Sequence, residues 1–129
     1  MNIKRKKKIL ETLDGCVDLN GTDLEKYFLE LQEIGLTINK KKSFIDILRF
    51  CSTLGNQERL KIIHCLRIKK YCVCELEAIL DKSQSTISHH LKEMEDIGLI
   101  RGWKKGKFTH YEINEKKLDF YRDLLEKTI

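Results

Sequence analysis

Between Cys74 and Ile113 the apolar residues change their period, and that change restricts the fold more than any other feature of the chain. Ile87, Leu91, Met94 and Ile97 recur at spacings of four and three, which sets them on one stripe of a helix spanning "QSTISHHLKEMEDI". Before it, "CELEAIL" reads as a short helix and "DKS" as a turn. After it, Gly98 closes the helix, and two strand-like runs follow, "LIRGW" and "FTHYEI", joined by "KKGK". Gly106 suits a tight hairpin there. The order is therefore helix, turn, helix, hairpin.

The flanking segments read as helices too. The chain holds no proline and only seven glycines, so punctuation falls to glycine and to capping side chains. In "TDLEKYFLELQEIG", Leu24, Tyr27, Phe28, Leu31 and Ile34 keep helical spacing behind a Thr22-x-x-Glu25 capping box, with Gly35 at the expected stop. "NKKKS" is expected to be a charged joint, with Ser43 capping "FIDILRFCSTL" up to Gly55. The next helix starts after Asn56 and turns Leu60, Ile62, Ile63 and Leu66 inward. Asn114 can cap a last helix, with Leu118, Tyr121, Leu125 and Ile129 along one side. At 129 residues this is one domain with a terminal extension, and the expected division is 1–43 and 44–129. The fold class is mainly α (α+β).

No apolar run approaches the ~20 residues of a membrane span. The basic start, "MNIKRKKKIL", lacks the apolar stretch of a signal peptide. A soluble, cytoplasmic protein with reduced thiols is expected. Its five cysteines, an odd number at scattered spacings, do not make a disulfide framework.

Net charge is only +5, but its distribution is uneven. "LIRGWKKGKFTH" carries Arg101, Lys104, Lys105 and Lys107 and no acid. Two helices joined by a tight turn can deliver the second into a DNA major groove roughly 12 Å wide. Gln84, Ser85, Thr86, Ser88, His89 and Lys92 lie largely off the buried stripe, and the small polar ones among them have the size to reach base edges. The hairpin cations would neutralise phosphates. The plainer alternative is an ordinary α-hairpin beside a solvated, charged turn.

The stretches "STLGNQERLKIIHCL" and "YCVCELEAILDKSQSTISHHLKEMEDIGLIRGWKKGKFTHYEI" resemble the ArsR/SmtB family of winged-helix, metal-responsive transcriptional repressors. The resemblance covers about residues 44–128 and is most specific at Leu54-Gly55, Arg59-Leu60, Ser88-His89-His90-Leu91 and Gly98-Leu99-Ile100. It implies a winged helix-turn-helix with a two-stranded β-hairpin wing, preceded here by an N-terminal helical extension. It also implies a homodimer on an imperfect palindromic operator in double-stranded DNA, released when an effector binds.

In arsenic- and cadmium-type members of that family the helix preceding the reading helix starts with Cys-Val-Cys, which Cys72-Val73-Cys74 reproduces. Side chains two apart on an ideal helix diverge by about 200°. Both sulfurs thus meet one ion only if the first turn is extended or distorted, and that strain could couple ligation to DNA release. A helix start also favours thiolate, which lowers the expected pKa of both groups. Where arsenic members carry a third cysteine in this helix, the position here is Glu77, so the local set is incomplete. Cadmium- and lead-type members draw further thiols from the N-terminal segment, and Cys16 is the candidate. The metal-ligand set is then Cys72, Cys74 and Cys16, with Cys16 equally readable as a small hydrophobe. No cofactor is required, and As(III)/Sb(III) or Cd(II)/Pb(II)/Zn(II) are the possible effectors. Cys51 and Cys65 read as core residues, as does His64 unless it serves an interface. His89 is expected at DNA and His90 in packing. No histidine follows His110, so a C-terminal site built on Asp and His is not expected.

Two other functions compete. The thiols could form a redox switch on the same repressor, through a strained Cys-x-Cys disulfide. A small thiol enzyme or metal carrier is the other, but no Cys-x-x-Cys in a βαβ setting, no phosphate loop and no nucleophile elbow accompany the pair.

Overall fold

The computed structural model describes residues 1–129, which divide into two compact units, Met1–Lys41 and Lys42–Ile129. The first unit is a helical pair, α1 (Ile3–Cys16) and α2 (Leu24–Lys40). The Asn2 side chain caps α1 by accepting from the Arg5 N–H at 2.8 Å. The chain turns back through Asn20 and Gly21, both with positive φ. Phe28 is the buried centre of the pair, with the Lys6 ammonium 5.2 Å above its ring and bridged to Glu25 at 3.2 Å.

Two expectations for this unit are corrected. The cap of α2 is Asp23, which accepts from Lys26 N–H, so the Thr22-x-x-Glu25 box does not form. Nor does Gly35 stop the helix, which continues to Lys40. Glycine inside a helix costs only about 1 kcal/mol against alanine, too little to end one alone.

The second unit contains α3 (Lys42–Leu54), α4 (Gln57–Ile68), β1 (Tyr71–Cys72), α5 (Val73–Leu80), α6 (Gln84–Asp96), β2 (Ile100–Lys105), β3 (Phe108–Ile113) and α7 (Glu115–Thr128). Lys41 is the only residue between α2 and α3, so the five-residue joint is mostly helical and Ser43 lies inside α3. Asn56 and Asn114 cap α4 and α7 as their positions predict. The stripe of α6 is fully interior: Ile87, Leu91 and Met94 are 0% exposed, alongside Ile62 of α4, Leu76 of α5 and Leu99. By contrast Leu60 is exposed, and so is Ile129 beyond the end of α7.

The sheet has the order β1-β3-β2, all antiparallel. Gly106 (φ +66) and Lys107 form the two-residue turn between β2 and β3; only the glycine has positive φ, the pattern of a II′ hairpin. The hairpin is the wing. The short β1 edge, which has no signature in the sequence, pairs Tyr71 with Tyr111 and Cys72 with His110. Gly102 is required by packing, since a Cβ there would stand 2.7 Å from the Tyr111 ring.

α7 packs against α3, where Phe50 and Tyr121 stack with centroids 4.7 Å apart. The Tyr121 hydroxyl donates to the Ile97 carbonyl at 2.8 Å, fastening α7 to the end of α6. Tyr121→Phe is expected to leave that buried carbonyl unpaired and to cost about 1 kcal/mol in urea unfolding, with no change of fold by circular dichroism.

Candidate thiol centre and nucleic-acid interface

Cys72 ends β1 and is at once the N-cap of α5, with extended backbone (φ −86, ψ 166). Its sulfur accepts from the Glu75 N–H while the Glu75 carboxylate accepts from the Cys72 N–H at 3.0 Å. This is a capping box with sulfur in place of a hydroxyl. Because Cys72 is not helical, the two thiols escape the divergence of an ideal helix, and their Sγ atoms lie 2.7 Å apart. Cys74 is exposed and Cys72 is 7% exposed. The pair therefore sits where one strand, one helix start and solvent meet.

The protonation of Cys72 departs from the expected lowering. Burial pushes its thiol up, the Cys74 sulfur adds to this, and the Glu75 N–H pulls only partly back. Glu75 is held below the usual carboxylate range, first by the Cys72 N–H.

No third His, Cys, Asp or Glu joins the two sulfurs in a group able to hold a metal ion. Cys16 is exposed at the last turn of α1, in the other unit. Glu77 is half-buried in α5. Cys51 is exposed, contrary to its expected place in the core, because α3 turns Ile47, Phe50 and Thr53 inward instead. Cys65 is half-buried against the core, while His64 is exposed.

The helix α5 packs on α6, whose outer face carries Gln84, Ser85, Thr86, Ser88, His89 and Lys92, all exposed. Ser83, absent from the expected set, organises its start. It caps α6 by accepting from the Thr86 N–H at 3.3 Å and contacts the Thr86 and Ser85 hydroxyls at 3.0 and 3.2 Å. On the wing, Lys104, Lys105 and Lys107 are exposed. Arg101 differs from them: its Nε donates to Glu112 at 2.8 Å, and Lys70 bridges the same carboxylate at 3.3 Å. The Arg101 hydrogen bond holds Glu112 low, so this cation is already paired.

A second linkage anchors α6 from behind. Arg59 Nε donates to the Thr53 carbonyl at 2.5 Å, and its Nη1 lies 3.3 Å from His90 Nδ1. A guanidinium only donates, so this nitrogen accepts and the imidazole is neutral. Burial and then the Arg59 charge push the His90 pKa down. The unfolded chain takes up this proton near pH 6.5 whereas the folded chain resists it, so stability held above that pH is lost as the pH falls. Urea unfolding between pH 7.5 and 5 is expected to show a decline of up to about 1.4 kcal/mol per pH unit from this group, and His90→Gln should flatten it.

The chain matches the family model described as "Bacterial regulatory protein, arsR family" over residues 56–101, from the cap of α4 to the start of the wing. It is similar to the cadmium resistance transcriptional regulatory protein CadC of Listeria innocua serovar 6a, 37% identical over 70 residues that cover 54% of this chain and 59% of that one. The chain thus spans about three-fifths of that regulator's length. The arsenical resistance operon repressor of Staphylococcus xylosus is 30% identical over 84 residues, 65% of this chain and 81% of that one. Among solved structures, the homodimeric winged helix-turn-helix DNA-binding domain of a possible ArsR-family regulator from Mycobacterium bovis shares the fold. It matches with a TM-score of 0.54 at 20% identity, covering 64% of this chain and 78% of that one.

Proposed function

This chain belongs to the arsR family of bacterial regulatory proteins, and on that basis we propose that it is a transcriptional repressor whose hold on operator DNA is released by a soft ion at Cys72 and Cys74. It acts by binding and not as an enzyme, in keeping with a family described as regulatory. One observation carries the reading: the sulfur that caps α5 lies 2.7 Å from a second, exposed sulfur, at the start of the helix that packs on α6. Two adjacent thiols fit the donor preference of As(III), Sb(III), Cd(II), Pb(II) or Zn(II). Such an ion would supply bonds to both sulfurs. Engaging Cys72 that way competes with the N–H it accepts from Glu75, so the first turn of α5 loses a cap, and caps are typically worth ~1 kcal/mol. Cys16 is the further thiol available to complete the set.

On the DNA side, Gln84, Ser85, Thr86, Ser88 and His89 read bases in the major groove. Lys92, Lys104, Lys105 and Lys107 neutralise phosphates, and Arg101 does so only after leaving Glu112. A homodimer on an imperfect palindrome accounts for the apolar surface of the second unit. Ile45 and Leu48 of α3 are 44% and 53% exposed and Phe120 of α7 is 44% exposed, on two helices that pack together. The structural relative is itself homodimeric.

The closeness of the sulfurs also favours a second reading, in which an oxidant closes a disulfide in place of ion binding. A reporter gene behind the DNA upstream of this chain's own coding sequence separates the two. Repression by the native chain, relieved by arsenite or Cd(II) but not in Cys74→Ser, is the expected result. Relief by peroxide without metal would transfer the assignment to the redox reading, and a reporter that is never silenced would overturn the repressor.

A further inference from the structure

Cys72 has a cross-strand neighbour that nothing in the thiol pattern points to. In the β1–β3 ladder it stands directly opposite His110. Residues so paired put their side chains on the same face with Cβ atoms about 4.5–5.5 Å apart. His110 is half-buried and stacks on Trp103, its partner on the other side of β3, with ring centroids 5.8 Å apart at 25°. A ring stack fixes the plane of the imidazole and leaves its nitrogens available to other partners. Glu75, whose carboxylate accepts from the Cys72 N–H at 3.0 Å, adjoins the same strand end. Cys72, Cys74, Glu75 and His110 are thus one neighbourhood, although the imidazole is not drawn in to the sulfurs in this structure.

We infer that His110 is a third protein ligand of the ion held by Cys72 and Cys74, making a mixed two-thiolate, one-imidazole centre for a borderline divalent cation. The inference rests on the ion-binding reading of the thiol pair and goes beyond it in naming the donor set and the ion class. Two sulfurs and one nitrogen suit Zn(II) and Cd(II), which accept thiolate and imidazole together, whereas As(III) takes thiolates and has little use for the imidazole. The centre also has a mechanical consequence. His110 lies in the middle strand of the sheet and Cys72 at the start of α5, so ligation ties the wing to the helix behind the reading helix.

Co(II) titrated anaerobically into the full reduced chain reads each donor separately. The native chain is expected to give a thiolate charge-transfer band in the near ultraviolet together with strong visible bands of a four-coordinate ion. His110→Gln should keep the charge-transfer band, shift the visible bands and weaken Zn(II) in competition at least tenfold. Cys74→Ser should lose much of the charge transfer. In the native chain, Zn(II) should also shift the ¹⁵N resonances of the His110 ring, a readout that needs no variant to fold. Unchanged spectra and affinity in His110→Gln, with no ¹⁵N shift, would overturn the role of His110 and leave the thiol pair standing. Loss in Cys16→Ser without loss in His110→Gln would do the same and give the position to Cys16. Absence of a charge-transfer band from the native chain would instead remove the thiol reading itself.

Discussion

Leu91→Ala is expected to lower the unfolding free energy by about 2–5 kcal/mol, measured as a fall in urea midpoint at constant slope. Leu91 is 0% exposed and lies in one cluster with Ile62, Leu76, Ile87 and Met94, which brings together α4, α5 and α6. Removing its branched end costs the transfer energy of the deleted carbons and leaves a cavity that several packed elements cannot close. For a small domain this is a large part of the total. Leu91→Met, which nearly keeps the volume, should cost less than about 1.5 kcal/mol. The comparison separates packing from helix propensity, because Leu, Met and Ala are all good helix formers.

The largest effect on function is expected from the wing. Lys104, Lys105 and Lys107 are exposed and enter no ion pair, whereas Arg101 is held by Glu112. Each phosphate neutralised contributes about 0.9 to the slope of log affinity against log salt. In the proposed dimer, loss of all three lysines from each protomer should therefore make the slope shallower by about five and lower affinity near physiological salt by on the order of 100-fold or more. Discrimination between operator and unrelated DNA should survive, since phosphate binding carries no sequence information. Arg101→Ala should change the slope little. The same titration with Ser88→Ala should leave the slope intact and reduce discrimination instead, by about 1–3 kcal/mol for each base-edge interaction removed.

The parts of this fold that are legible in the chain are those fixed by local chemistry. Asn56 and Asn114 announce their helices because a short amide satisfies nearby N–H groups wherever it occurs, and Gly106 marks the wing turn because positive φ is costly for other residues. The stripe of α6 is clear because four apolar residues at helical spacing define a face. What cannot be read depends on pairings distant in sequence. The strand β1 has two residues, too few for any period, and exists only through pairing with β3. Arg59 and His90 are 31 positions apart, and nothing near either residue signals the other. Cys51 departs from its expected place because α3 is apolar on more than one side, and only packing decides which side is inside.

The thiol centre divides the same way. The identity and spacing of Cys72 and Cys74 are plain in the chain, and so is the geometric difficulty of two thiols two residues apart on a helix. Its resolution is not, because it depends on Cys72 lying in a strand as an N-cap. The raised pKa of Cys72 follows from that position, since burial there outweighs the helix start. His110 stands in the sequence only as the last histidine of the chain, yet the register of the sheet sets it opposite the first thiol.

The central claim is that occupancy of the thiol pair and of the DNA face are linked through α5. The most direct test is reciprocal: the affinity of the reduced chain for a labelled operator duplex with and without saturating Cd(II), and its affinity for Cd(II) free and DNA-bound. Linkage predicts that Cd(II) weakens DNA binding by about 5- to 150-fold, that DNA weakens Cd(II) binding by the same factor, and that Cys74→Ser abolishes both effects. DNA affinity that stays constant while Cd(II) is demonstrably bound at the thiols would contradict it.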